Sequence, residues 1–143
     1  MLLEALVAIL IFSMGVLAIV GMQASAISNS AESKYRSDAN LLANQLLGLM
    51  WTSDRTPATL RTNFRGGFGG TDGAQYTAWL GPVSNPPEGT VRRALPGVTS
   101  TANLPTVDVD GATGLVTIVV SWQAPGGAGG ATAHKHTIVA QIR

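Results

Sequence analysis

The residues that decide the fold are Met1–Gln23, MLLEALVAILIFSMGVLAIVGMQ, which run without a break into Ala24–Trp51, ASAISNSAESKYRSDANLLANQLLGLMW. The first part carries one charge, Glu4, ahead of the uncharged run Ala5–Met22. Three kinds of segment have an apolar run of this sort. A signal peptide needs a basic stretch before the run and a small-residue cleavage site after it. Nothing basic precedes Glu4, although Ala24-Ser25-Ala26 has the form of a cleavage motif. A buried core helix is usually amphipathic, whereas here every face is apolar. A transmembrane helix needs about 20 apolar residues, and Leu2–Met22 meets that length. Length favours the membrane. An acid at the end of a span is costly unless it reaches the interface or a partner cation. In a lone anchor, the macrodipole at a helix N-terminus accounts for Glu4.

The second part changes period. Ile27, Ala31, Tyr35, Ala39, Leu42, Leu46 and Met50 recur at steps of three and four, while Asn29, Ser33, Arg36, Asn40 and Asn44 fill the opposite side. That stripe predicts an amphipathic helix packed on a soluble domain. No proline interrupts the chain before Pro57. The two parts therefore read as one helix of about 50 residues, roughly 75 Å long at 1.5 Å per residue. Ser53-Asp54 and then Thr56-Pro57 mark its end, because the residue before a proline is pushed out of the helical region.

A long helix that is half anchor and half domain spine, with Leu2-Leu3-Glu4 followed by Ala5-Leu6-Val7-Ala8-Ile9-Leu10, resembles the type IV pilin family. In that family a cytoplasmic leader is removed, the new N-terminus is methylated, and an acid near it neutralises a neighbouring subunit's amine during assembly. The resemblance makes Glu4 that acid and Leu2, Leu3, Ala5 and Leu6 its assembly neighbours. Glu4 stands one place earlier than the family spacing. The resemblance thus implies that the mature first residue and the basic leader lie outside this chain. Tyr35-Arg36-Ser37-Asp38-Ala39, Leu42-Ala43-Asn44-Gln45-Leu46 and Met50-Trp51, with Val119-Val120-Ser121-Trp122, Pro125 and His136-Thr137-Ile138-Val139, are similar to the PilV subfamily of minor pilins.

Outside the first helix the composition is that of one small polar domain. The chain has 143 residues, 45% hydrophobic, with a net charge of +1. Such a balance excludes a strongly basic nucleic-acid surface as the main theme. There is no cysteine, so the domain must hold by packing alone. Pro57 to Pro105 is rich in breakers, among them Gly66-Gly67-Phe68-Gly69-Gly70, Asn85-Pro86-Pro87 and Leu95-Pro96-Gly97. It reads as mostly loop, with a short strand at Gln75–Leu80. Thr106–Asp110, Leu115–Gln123 and His136–Ile142 read as strands, the first two joined tightly at Asp110-Gly111 and Gly114. Val116, Ile118, Val120 and Trp122 alternate with Thr117, Val119 and Ser121, the pattern of a half-buried antiparallel strand. Ile138, Ala140 and Ile142 supply the matching stripe. The Ile27–Met50 stripe is their natural cover, with Tyr35, Leu42, Leu46 and Trp122 as the large helix–sheet packing residues. Ala124–Ala133 reads as a flexible hairpin loop.

No catalytic set emerges. The glycine run at 66–70 lacks the Gly-Lys-Ser/Thr of a phosphate loop, and Asp72 falls where a third glycine is needed after Gly67. Asp108-Val109-Asp110-Gly111 begins like a calcium loop, but Ala112 and Thr113 follow where oxygen ligands belong. His134 and His136 share one face of a strand with no third ligand nearby in sequence, and read as solvated edge residues.

The sequence thus predicts an α+β chain, a type IV pilin-like long N-terminal helix (transmembrane half plus amphipathic half) on a small antiparallel β-sheet. Its parts are 1–22, the membrane and assembly half; 23–54, the amphipathic half; and 55–143, the loop-rich region and sheet that complete one globular domain with 23–54. The expectation is a non-enzymatic subunit with no cofactor, metal, nucleic acid or small-molecule substrate. The resemblance implies inner-membrane lipid as its surroundings before assembly, with a periplasmic domain, and a place at the pilus tip afterwards. Its implied partners are other minor pilins, the major pilin and a tip adhesin, in an apparatus for adhesion and twitching motility. A minor pseudopilin of a type II secretion system shares the same N-terminal helix. A membrane-anchored adhesin using the loops at 64–105 is the alternative from another class.

Overall fold

The computed structural model describes residues 1–125 and 133–142. The glycine-rich loop expected at 124–133 lies, from 126 to 132, outside the described residues. The first element, α1, is one helix over Leu2–Thr52, with no proline to break it. Its end is built as expected. Ser53 donates its Oγ hydrogen to the Met50 carbonyl, and the Asp54 carboxylate accepts from both the backbone N–H and the hydroxyl of Thr56. Thr56 is extended, with ψ 123°, the conformation a following proline enforces. The Thr56 N–H holds the Asp54 carboxyl below its ordinary value.

The chain forms two compact units, Met1–Lys34 and Tyr35–Arg143. The first holds only helix. In the second, the helix buries Ala39, Leu42, Ala43, Leu46, Leu47 and Met50, which follow the steps of three and four that the stripe predicted. Tyr35 packs at the margin of this core, only partly buried. Ile27, the first residue of the predicted stripe, is 71% exposed.

Residues 57–105 are more ordered than their breakers suggest. Pro57 opens a second helix, α2 (Pro57–Phe64), with proline in the first turn where its missing N–H costs nothing. Leu60 and Phe64, one turn apart, are its buried residues. The strand expected at Gln75–Leu80 is instead a helix, α3 (Ala74–Leu80). Tyr76, Trp79 and Leu80 are its buried residues, at i, i+3 and i+4, a helical spacing that outweighs the β propensity of Tyr, Thr and Trp. A last short turn, α4 (Val91–Ala94), buries Val91.

The sheet has three strands, β1 (Thr106–Val109), β2 (Leu115–Trp122) and β3 (His134–Gln141), antiparallel in that order. Register sets the faces. Val107 pairs with Ile118 and Val109 with Val116. Ile118 pairs with Ile138, Val120 with His136 and Trp122 with His134. Because directly opposed residues point the same way, these form one face, and its β1 and β2 members are buried. The β1–β2 turn forms where Asp110-Gly111 predicted it. The Asp110 carboxylate accepts from the Ala112 N–H and the Thr113 hydroxyl, which accounts for Asp110 without a bound ion, and Gly114 takes the positive φ of 70°.

Candidate membrane and assembly segment

Over Leu2–Met22 the helix is apolar on every face, with no polar side to set off a single core-facing stripe. The side chains from Leu2 to Met22 are exposed, among them Phe12 at 73%, Leu17 at 71% and Met22 at 69%. Mean hydropathy over the best window of α1 is 2.7, with none of that window buried inside the molecule, and the helix is long and apolar enough to cross a membrane. Glu4 lies in the first turn and is exposed, beside the exposed Leu2, Leu3, Ala5 and Leu6. The backbone stays paired there: the Ala5 N–H donates to the Met1 carbonyl at 3.1 Å. Ser13 donates its hydroxyl back to the Ile9 carbonyl, so the one hydroxyl between Glu4 and Met22 is satisfied within the helix. This leaves the Glu4 carboxylate as the one charge of the segment from Leu2 to Met22, placed in the first turn of the helix.

The residues expected to hold the domain together sit in the second unit. Leu42, Leu46 and Trp122 are 3%, 0% and 1% exposed and belong to one core. The sequence missed the other half of that core. The Trp79 indole N–H donates to the Leu42 carbonyl at 3.0 Å, tying α3 to α1. Buried Tyr76 donates its hydroxyl to the Pro105 carbonyl at 2.7 Å. Burial, with the nearby Asp72 charge, pushes the Tyr76 phenol far above its ordinary pKa. The i, i+3, i+4 spacing of Tyr76, Trp79 and Leu80 was the available signal.

The remaining sequence features resolve into structure. A Cβ on Gly66 would come within 2.3 Å of the Tyr76 ring, and one on Gly67 within 2.2 Å of the Pro105 carbonyl. The glycines permit this close packing. The Gly67 N–H is already bonded to the Asp72 carboxylate at 2.9 Å. His134 and His136 lie on an edge strand, as read, but are half-buried rather than solvated. His134 stacks on Trp122 with ring centroids 5.7 Å apart. Among the described residues, no group of three or more His, Cys, Asp or Glu is placed to hold a metal. A recess of about 500 Å³ near Thr101, Asn103, Ser121 and Lys135 is open and carries no carboxylate. The chain matches no family model, no curated protein and no solved structure.

Proposed function

We propose that the chain is a filament-assembly subunit, a minor pilin of the PilV type that takes part in priming a type IV pilus and in a tip complex with other minor pilins. The observation that carries this is one continuous helix, Leu2–Thr52, whose first part is apolar on every face and whose lone charge, Glu4, stands in its first turn. In the membrane the uncharged run 5–22 is solvated by lipid. On assembly the same surface packs on neighbouring helices, and the Glu4 carboxylate is neutralised by an amine from an adjacent subunit. Lateral contacts between globular domains complete the join. No step needs a cofactor or a bond-making residue of this chain.

The test is Glu4→Ala in the native membrane, read by site-specific crosslinking into higher assemblies. Assembly should fall severalfold while membrane insertion is unchanged. Incorporation of Glu4→Ala at the native level would remove the role given to this carboxylate, since a passive helix-end acid is worth only about 0.3–1 kcal/mol. Co-purification from detergent extracts, with mass spectrometry, separates the pilus reading from the secretion pseudopilin. The former predicts minor and major pilins, the latter the subunits of a secretion machine.

A further inference from the structure

The sheet treats its two edges differently. The β1 edge is closed by the chain itself: Gly66 and Val107 exchange both backbone hydrogen bonds, at 3.1 and 3.0 Å. The β3 edge has no such cover among the described residues. Its polarity follows from the ladder. The Ile142 N–H donates to Gly114 and the Asp110 N–H to Leu115, at 3.0 and 2.9 Å. With hydrogen-bonded pairs alternating along an antiparallel ladder, His134, His136, Ile138 and Ala140 turn their backbone groups toward β2. Lys135, Thr137, Val139 and Gln141 turn theirs outward, and no described backbone group meets them.

Natural sheets guard a bare edge with proline, a bulge, charge or a short strand. Of these, β3 has only the single charge of Lys135. It spans 8 residues, HKHTIVAQ, and its pairing with β2 runs one to one from Gln141 to His134 without a bulge. Lys135 is its only fixed charge. Its inward row is only half-buried, and the His136 Nε2, itself buried, has no hydrogen-bond partner among the described residues. The strand therefore carries one fixed charge, at Lys135 beside the half-buried His136, and is apolar at Ile138–Ala140.

We propose that β3 is a docking edge for an extended segment of a second protein, apolar along Ile138–Ala140 and carrying two consecutive acids along Lys135–His136. Consecutive residues of a strand face opposite ways, so one acid meets the Lys135 ammonium on the outer face and the next meets His136 on the inner face. Backbone pairing with Lys135, Thr137, Val139 and Gln141 supplies the affinity, and the alternating side chains supply the choice of partner. A second copy pairing through β3 fits less well, because HKHTIVAQ contains no carboxylate. The inference does not depend on the filament reading. If that reading holds, the segment belongs to another subunit.

The experiment is amide hydrogen exchange on the full chain in detergent micelles, with a capped synthetic peptide of alternating Thr and Val ending in two Glu. Exchange at Lys135, Thr137, Val139 and Gln141 should slow on titration, while His136, Ile138 and Ala140 are protected throughout. The same peptide with Lys in place of Glu should bind about tenfold more weakly. Val139→Pro removes an outward N–H and should abolish the effect, and Val139→Asp, which sets a like charge beside the acidic peptide, should weaken it if the proline disturbs folding. Unchanged exchange up to millimolar peptide overturns the proposal, as does equal binding of the Lys peptide. Protection that rises with protein concentration alone overturns it in favour of a second copy.

Discussion

One helix, α1, behaves as two different objects. Over Leu2–Met22 it is apolar on every face and its large side chains stand exposed. Over Tyr35–Thr52 it is apolar on one face, and Ala39, Leu42, Leu46 and Met50 on that face are almost wholly buried. Exposure of Leu3 at 76% and burial of Leu46 at 0% do not differ by residue type. They differ by pattern. A 3.6-residue stripe names a partner within the same domain, while an all-round apolar surface has its partner in lipid or in other helices. The conformation is shared and the environment is not, so substitutions in the two regions should have opposite readouts.

The largest effect should come from Trp122→Ala. Truncating a buried Trp costs about 3–5 kcal/mol, close to the low end of a small domain's total of about 5–15. With no cysteine to staple the domain, the variant should lose its cooperative melt or become protease-sensitive at ordinary temperature. Phe12→Ala, at a position 73% exposed, should leave that melt unchanged. If both variants melt like the native protein, the contrast between the two regions fails.

Glycine sharpens the contrast at a smaller scale. A methyl group at Gly66 would overlap the fully buried Tyr76 ring, whereas one at Gly15 meets nothing within 4 Å. Overpacking costs about 1–3 kcal/mol, and each kcal/mol is worth about 4–8 °C in a domain of this size. Gly66→Ala should therefore lower the Tm of the globular unit by several degrees. Gly15→Ala should leave it untouched and raise helical circular dichroism, since alanine favours helix by about 1 kcal/mol over glycine. A Gly66→Ala protein with native Tm would show that the Gly66–Tyr76 contact is looser than described.

The smallest effect concerns pH and only the second region. The Ala112 N–H, then the Thr113 hydroxyl, holds the Asp110 carboxyl below its ordinary value of 3.8. A depressed folded-state pKa adds stability that is present above the unfolded value and lost as pH falls through the folded one. The Tm advantage of native protein over Asp110→Asn should be steady from pH 7 to about 5 and shrink as acid is added below about 4. An advantage that grew toward low pH would contradict the turn geometry.

Much of this was legible in order along the chain. The length of α1, its end before Pro57 and the three strands follow from local periodicity and turn chemistry, which any short window displays. The short helices between 57 and 94 are harder to read, for local reasons. Pro57 reads as the stop for α1, although proline also starts helices. Gln75–Leu80 is a short apolar run, which periodicity alone assigns poorly between helix and strand. Its spacing of Tyr76, Trp79 and Leu80 carried the correct answer. Asp110 in its turn and Glu4 in the first helical turn were both visible as residues in sequence.

The sequence by itself determined where α1 is apolar all round and where it is striped, because hydrophobic pattern is a property of consecutive residues. It likewise determined the strand faces, since side chains alternate with a period of two. Only the tertiary structure decided which glycines are obligatory, because Gly66 and Gly67 are defined by Tyr76 and Pro105, residues distant in sequence. The same holds for the edges of the sheet. Gly66 covers β1 and nothing described covers β3, and strand order is a matter of long-range pairing that no local window contains.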